Sequence, residues 1–247
     1  EIGSAAERGL GWKRCKSRLK RLHQELLLLA TACAPSSEDT AHVAACRTAV
    51  ERQAQKLVGD MKAHLIGSQA MGLATPTSDI DIVLLSPTKF SDSQISDSAS
   101  QYTKERAKED KIEFMYALAE TLRPSPFTHV EVIAHASVPI IKGCTPRGVK
   151  CDISVGTDNG LRSSTAMTAK MESMPALKPL VLFLKLLLGE HGLNEVFTGG
   201  LSSYGIMHLV LSFLQGQTER DTHTPLPTHT PAASRFPFFL KGSQGGE

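Results

Sequence analysis

The sequence predicts an α/β (α+β) protein with two lobes: a mixed sheet flanked by helices, followed by a helical lobe. Apolar residues recur at helical spacing towards both ends of the chain and alternate with polar residues in the middle. The chain has 247 residues, of which 41% are hydrophobic and 21% are charged, enough for one large or two small domains. This composition excludes a wholly disordered chain, and no apolar run reaches the roughly 20 residues that a membrane-spanning helix needs.

Two helices are predicted before the sheet. The first covers residues 13–33, where leucines recur at helical spacing. These leucines are Leu19, Leu22, Leu26 and Leu29. Pro35 ends this helix, and Ser36 or Ser37 can cap a second helix that runs to about Val58.

Charge and cysteine content constrain the partners and the compartment only weakly. The formal net charge is +2, but six basic residues fall within nine positions of the first helix: Lys13, Arg14, Lys16, Arg18, Lys20 and Arg21. This cluster is either a solvated helix face or a patch that contacts phosphates, and both interpretations stay open. The five cysteines show neither paired nor zinc-type spacing, and without a secretory signal they indicate reduced thiols in the cytosol or nucleus.

The signal changes to strands from about residue 61. Met61–Ile66 is short and strand-like, and between Asp79 and Leu84 polar and apolar positions alternate, which predicts a strand with one polar edge. Residues 86–103 are rich in Ser, Asp and Gln and are expected to form a flexible surface insertion. A helix and three strands follow: Lys104–Leu122, then Thr128–Ile133, Val138–Lys142 and Val149–Val155.

The last third of the chain is predicted to be helical. Pro175 suits the first turn of a helix that runs to about Gly189, and a Gly199–Gly200 turn precedes a helix over 202–215. Both helices are apolar almost all round, which is typical of buried helices. Because the N-terminal helices cannot cover them fully, we expect an exposed apolar patch around them. The tail, 216–247, lacks periodicity and is expected to be disordered.

Two carboxylates on one strand are the first candidate for chemistry. Residues i and i+2 of a strand point the same way, so Asp79 and Asp81 would lie on one face. Like charges there repel and the pKa of one rises unless a cation neutralises them, as Mg²⁺ does with one or two carboxylates and substrate phosphates. Asp152, on the polar side of a later strand, would supply a third carboxylate and complete a two-metal site.

A Gly67-Ser68 pair precedes these carboxylates at a predicted strand-to-helix turn. Glycine lets the backbone approach closely, and serine offers a hydroxyl and an N–H to phosphate oxygens. Alone, the alternating aspartates are more often the solvent face of a sheet, and a Gly-Ser pair carries almost no information. The combination is more specific: an apolar strand, Gly-Ser, ten residues, alternating aspartates and a later strand aspartate.

This combination resembles the nucleotidyltransferase signature of the DNA polymerase β-like superfamily. Three segments look like the noncanonical poly(A) polymerases and terminal uridylyltransferases: 73–81, 138–142 and 152–154. Three others resemble the nuclear-surveillance poly(A) polymerases of TRAMP-type complexes: 179–185, 193–204 and 212–215. The resemblance covers about residues 19–215, with a gap over 86–103.

The resemblance implies the metal and phosphate ligands of the catalytic lobe. Asp79, Asp81 and Asp152 would be catalytic carboxylates that bind two divalent ions, Mg²⁺ or Mn²⁺. Gly67 and Ser68 would hold the triphosphate of the nucleotide.

It also implies three nucleotide-binding residues in the helical lobe. Lys185 would reach the triphosphate, Ser203 would contact phosphate and Tyr204 would stack on the base. The alternatives are that Lys185 extends to solvent from an apolar helix and that Tyr204 is a core aromatic.

The implied activity is template-independent addition of AMP from ATP to an RNA 3′ end. A terminal uridylyltransferase that uses UTP is one alternative, and a catalytically impaired copy that only binds RNA or a partner is the other. The resemblance further implies a zinc-knuckle RNA-binding partner, a helicase and a nuclear location, with the cytoplasm as the alternative.

The resemblance divides the chain into a flank (1–12), N-terminal helices that pack on the helical lobe (13–60), a catalytic domain (61–162) and a truncated helical central domain (163–215). Because the family continues well beyond this point, we expect the chain to be a fragment, a mispredicted product or a degenerate copy.

Two positions depart from the family. Gly156 stands where the family usually has Asn, so a polar contact near the nucleotide is missing or is made by Ser163 or Ser164. His191 stands where close relatives have Arg.

Overall fold

The computed structural model describes residues 5–90, 100–123, 127–194 and 196–221. These residues form seven α-helices and five strands. In chain order they are α1 (Ala5–Ala32), α2 (Ser37–Leu57), β1 (Lys62–Leu65), α3 (Gly67–Ala70), β2 (Ile80–Leu85), α4 (Gln101–Leu122), β3 (Thr128–Ile133), β4 (Ile140–Cys144), β5 (Lys150–Val155), α5 (Asn159–Ser173), α6 (Leu177–Glu190) and α7 (Ser203–Asp221). A short 3-10 helix, Val196–Thr198, precedes α7.

The strands form one mixed sheet in the order β1-β2-β5-β4-β3. Strands β2 and β5 run parallel, and the other neighbouring strands are antiparallel. In the parallel pair Asp81 lies directly opposite Asp152. The predicted mixed sheet with flanking helices is therefore confirmed.

Helices α2 and α4 pack on the sheet and close the first hydrophobic core. Alternate residues of β2 supply its centre, because Ile80, Ile82 and Leu84 are fully buried. Helix α2 contributes Val50 and Ala54 to the same core. The expectation that residues 13–60 pack on the helical lobe is therefore wrong for α2, whose apolar side faces the sheet. Helix α1 contacts α6.

A second core joins α6 and α7 to the segment that follows α3. Met71 and Leu73, from this segment, are buried among residues of α6 and α7 such as Leu177 and Met207. The stretch between β1 and β2 thus connects the two cores, and a cleft opens beside it.

Several predicted boundaries are corrected. Helix α1 begins at Ala5, so most of the expected flank is helical, and α7 runs to Asp221, so the expected disordered tail is helical at its start. Helix α4 begins at Gln101, with Ser100 as its N-cap. Pro175 precedes α6 instead of lying in its first turn. The predictions for 222–247 lie outside the described residues.

The beginning of the predicted insertion is fixed by hydrogen bonds. Ser86 is buried, and its hydroxyl donates to Asp60 Oδ1 at 2.7 Å. Thr88 donates to the other oxygen of the same carboxylate at 2.6 Å. Phe90 packs its ring against that of Phe114 in α4, with centroids 4.9 Å apart. The prediction of a flexible insertion is therefore wrong for residues 86–90. Residues 91–99 lie outside the part of the chain that the structure describes.

The helical lobe exposes apolar side chains. On α6, Phe183 and Leu187 are 38% and 42% exposed, and on α7, Leu209 and Phe213 are 51% and 60% exposed. Helix α1 and the sheet lobe cover only part of the surface of these two helices. The exposed residues lie on the helices where the sequence predicts an uncovered surface.

The basic cluster of α1 is exposed where its side chains are described. Arg18, Lys20 and Arg21 face solvent, and Arg21 pairs with Glu25 at 2.8 Å. A solvated face and a phosphate-contacting patch both fit this position. In the described ranges, no helix combines the length and apolarity required to cross a membrane.

Candidate active site

A cleft of about 1470 Å³ lies between the two lobes and collects most of the predicted site residues. Seven of the eight predicted site residues line this cleft, and they come from both lobes: Gly67, Ser68, Asp79, Asp81, Lys185, Ser203 and Tyr204. Asp152 is not part of the lining, but it is the parallel-strand neighbour of Asp81.

The three aspartates are close enough to affect one another's ionisation. Burial first, and then the charges of Asp152 and Asp79, raise the pKa of Asp81 to about 6, while Lys185 opposes the shift. Burial also raises the pKa of Asp152. Asp79 lies one residue before β2, in a loop, and not in the strand as predicted.

The triad is not a closed set of metal ligands. Among the residues that the structure describes, no three His, Cys, Asp or Glu side chains converge closely enough to hold a metal ion. Repulsion between carboxylates opposes such convergence when no cation lies between them. The expected ligand set is thus two paired strand carboxylates, Asp81 and Asp152, and a neighbouring loop carboxylate, Asp79.

The turn at Gly67 needs glycine for two reasons. Its φ is +62°, a left-handed conformation that residues with a side chain rarely adopt. A Cβ at this position would lie 2.5 Å from Asp81 Oδ2, closer than any real contact. The Gly67 N–H donates to the buried hydroxyl of Ser164 at 3.0 Å, so the turn is attached to α5. The backbone at Gly67 thus lies directly against the Asp81 carboxylate.

Lys185 connects the helical lobe to the loop that carries Asp79. Its Nζ donates to the Leu73 carbonyl at 3.0 Å and to Ser78 Oγ at 2.8 Å. Burial lowers the pKa of Lys185, and the charges of Asp81 and Asp79 oppose this. The ammonium group therefore points towards the cleft and the loop, and does not extend to solvent as the alternative had it.

The sequence interpretation missed the polar residues that support this contact. Thr75 and Ser78 are both buried, and the Thr75 N–H donates to Ser78 Oγ at 2.9 Å while the two hydroxyls lie 3.0 Å apart. Both residues lie in segment 73–81, which carries part of the resemblance, but small hydroxyl side chains by themselves are typical of any loop.

Ser203 and Tyr204 open α7 at the edge of the cleft. The preceding Ser202 caps the helix, because its hydroxyl accepts the Gly205 N–H at 3.1 Å. Tyr204 is 40% exposed, so the alternative of a core aromatic is wrong. Its ring meets that of His208 edge-on, with centroids 4.4 Å apart.

Two basic residues that line the cleft were also missed. They are Arg147, in the β4–β5 turn, and Lys150, the first residue of β5. Arg147 pairs with Asp39 at 3.3 Å and with Glu38 at 3.6 Å, which attaches this turn to the start of α2.

The local structure explains why position 156 is a glycine. Its φ is +83°, and a Cβ there would lie 1.9 Å from the Phe90 carbonyl oxygen. An asparagine could not occupy this backbone position without a shift of the loop. Ser163 and Ser164 both line the cleft nearby, and the Ser164 hydroxyl is engaged by Gly67.

Comparisons with known proteins agree with this geometry. The family model described as "Poly(A) RNA polymerase, mitochondrial-like, central palm domain" matches residues 22–169, more than half of the chain. Poly(A) RNA polymerase cid14 of Schizosaccharomyces pombe is 36% identical over 198 residues, which cover 78% of this chain and 26% of that protein. Poly(A) RNA polymerase protein 2 of Saccharomyces cerevisiae is 33% identical over 167 residues, 67% of this chain and 26% of that protein.

A solved structure shares the fold. The polymerase core of TRAMP, an RNA surveillance complex, superimposes with a TM-score of 0.61 at 29% identity, over 82% of this chain and 58% of that one. The chain spans about a quarter of the length of the curated relatives that it matches. The resemblance inferred from the motifs is confirmed: the chain belongs to the nucleotidyltransferase family whose model describes the central palm domain of mitochondrial-like poly(A) RNA polymerases.

Proposed function

We propose that this chain carries the catalytic centre of a template-independent RNA 3′-end nucleotidyltransferase that adds AMP from ATP. The observation that carries the proposal is the pairing of the half-buried Asp81 with Asp152 on parallel strands, with Asp79 beside them at the wall of a cleft formed by both lobes. The named relatives, which are poly(A) RNA polymerases, support the choice of reaction.

The three carboxylates suit divalent cations. They supply hard oxygen ligands. Burial first, and then the charges of the other two carboxylates, raise the pKa of Asp81, and positive charge between the carboxylates would relieve their repulsion. Asp79, Asp81 and Asp152 would hold two ions, Mg²⁺ or Mn²⁺. When bound, such ions activate an attacking hydroxyl and neutralise charge on the phosphates.

The residues of the chain orient both substrates. Asp152 orients the RNA 3′ hydroxyl and is the candidate to accept its proton. The 3′ oxygen forms a bond to the α-phosphorus of ATP, and the bond between that phosphorus and the bridging oxygen breaks, which releases pyrophosphate. We expect the protein to contact the RNA mainly through its backbone, so that binding depends little on the RNA sequence.

The helical lobe binds the nucleotide. Lys185 now donates to two neutral acceptors, and the anionic oxygens of a phosphate would accept stronger hydrogen bonds from the same ammonium group. Ser68 and Ser203 would contact phosphate, and Tyr204 would stack on the base. Since every base has a π face and these other contacts reach only phosphate, we expect weak discrimination between bases.

The cellular setting belongs to the same proposal. We extend it to a nuclear protein that acts with a zinc-knuckle RNA-binding protein and a helicase. Similarity to the polymerase core of TRAMP, an RNA surveillance complex, supports the role in RNA surveillance.

A nucleotide-incorporation assay tests the proposal. A short RNA with a free 3′ hydroxyl is incubated with the protein and each of the four nucleoside triphosphates, with Mg²⁺ or Mn²⁺. We expect extension with ATP, slow in this chain, and a loss of at least about a thousandfold in Asp81→Ala. Glu131→Ala, an exposed carboxylate of the same sheet, is the matched control.

The other outcomes separate the alternatives. Strong selectivity for UTP would indicate a terminal uridylyltransferase. Nucleotide and RNA binding without any extension would indicate a binding copy. An Asp81→Ala variant that keeps a tenth of the activity would contradict the assignment of the carboxylates.

A further inference from the structure

A histidine lies behind the tyrosine at the mouth of the cleft. His208 is one helical turn after Tyr204 on α7, and the two rings meet edge-to-face, with centroids 4.4 Å apart and planes inclined by 68°. Tyr204 lines the cleft, whereas His208 is not among the lining residues. The only aromatic neighbour of Tyr204 among the described residues is thus a side chain that does not itself reach the cleft.

Hydrogen bonding through Nε2 does not explain the imidazole of His208. Its Nε2 atom is buried, and no hydrogen-bond partner for it exists among the described residues. A buried polar atom without a partner destabilises a protein, and leucine would fill a similar volume without this cost. The feature that the histidine supplies and leucine lacks is a planar ring against the ring of Tyr204.

We propose that His208 is a positioning residue that holds the ring of Tyr204 in the plane required for stacking on the nucleotide base. The inference rests on the proposed function, in which Tyr204 stacks on the base. Edge-to-face aromatic contacts favour a defined mutual orientation of the two rings. Because Tyr204 is partly exposed, it would otherwise sample several orientations, and fixing one of them in advance lowers the entropic cost of binding.

This arrangement predicts a specific separation of effects. His208 acts on the base only through Tyr204, while the triphosphate is held by Lys185, Ser68 and Ser203. Loss of the His208 ring should therefore weaken the binding of a whole nucleotide and leave the binding of a bare phosphate chain unchanged.

Equilibrium binding of two probes tests this without depending on turnover. The probes are an ATP analogue with a fluorescent adenine ring and inorganic tripolyphosphate, which has no base. For His208→Leu we expect about two- to tenfold weaker binding of the analogue and unchanged binding of tripolyphosphate. His208→Phe keeps an aromatic ring and should bind the analogue within about twofold of the parent. Leu209→Ala, an exposed neighbour on the same helix, is the control for general effects on α7.

A double-mutant cycle links the effect to Tyr204. His208→Leu should have no further effect in a Tyr204→Ala background. Equal weakening of both probes, or no weakening of either, by His208→Leu would overturn the proposal. If Tyr204→Ala itself leaves binding of the analogue unchanged, the stacking role in the proposed function is wrong. If Tyr204→Ala weakens binding and His208→Leu does not, only the present inference is wrong.

Discussion

Replacing Asp81 by asparagine should stabilise the metal-free protein. The side chain lies in β2, opposite Asp152, and burial together with two neighbouring carboxylates raises its pKa to about 6 from an ordinary value of 3.8. Its charge is therefore less favourable in the folded protein than in the unfolded chain. Asparagine has nearly the same shape and carries no charge, so the substitution Asp81→Asn removes this cost.

The difference between the two pKa values sets the size of the effect. It corresponds to about 3 kcal/mol at pH 7 and above. Between about pH 4 and pH 6 the folded protein binds this proton more tightly than the unfolded chain does. The destabilising effect of Asp81 therefore grows as the pH rises through this interval. It is absent below about pH 4, where the side chain is protonated in both the folded and the unfolded state.

Urea unfolding between pH 4 and pH 8, in the presence of a chelator, measures the effect. Asp81→Asn should exceed the parent in free energy of unfolding at pH 7.5, and the advantage should disappear towards pH 4. Glu131→Gln, at an exposed carboxylate in β3, should stay within about 0.5 kcal/mol of the parent at every pH. Divalent cations should stabilise the parent more than the variant, because they bind the folded state through this carboxylate.

Two results would refute this reasoning. An Asp81→Asn variant that is less stable than the parent at pH 7.5 would show that the carboxylate makes net favourable contacts. An advantage that does not change with pH would show that its ionisation is not the cause.

Three further predictions concern the turn, the lysine and the exposed helices. Gly67→Ala should lower the melting temperature clearly more than Gly148→Ala, because both glycines have positive φ but only Gly67 lies against a side chain; equal losses would leave backbone strain as the sole cause. Lys185→Met should weaken tripolyphosphate binding by about ten- to a hundredfold, the effect of losing charged hydrogen bonds, and unchanged binding would contradict its role. The parent should bind a hydrophobic dye, and Phe213→Ser should bind less of it; no dye binding would contradict an exposed apolar surface.

Local signals in the sequence were sufficient for most of the elements. Ser36 caps α2 in a complete capping box. The Asp39 N–H donates to the Ser36 hydroxyl, and the Ser36 N–H donates to the Asp39 carboxylate. Strand β3 has the predicted bounds, since apolar alternation is a property of the strand itself. The predicted boundaries were wrong where contacts with distant residues determine the structure of a segment. Residues 86–90 look flexible by composition, yet Asp60 and Phe114 fix them from distant parts of the chain.

The sequence by itself determined the family, the mixed α/β class and the identity of the candidate residues, because these depend on residue types at fixed spacing. Only the tertiary structure decided how those residues meet. The parallel pairing of β2 with β5 sets Asp81 against Asp152, and no local pattern encodes which strands become neighbours. The attachment of Lys185 to Ser78, and of Gly67 to Ser164, likewise joins residues far apart in the chain. Long-range packing brings such pairs together, and the energies that do so are spread over both cores.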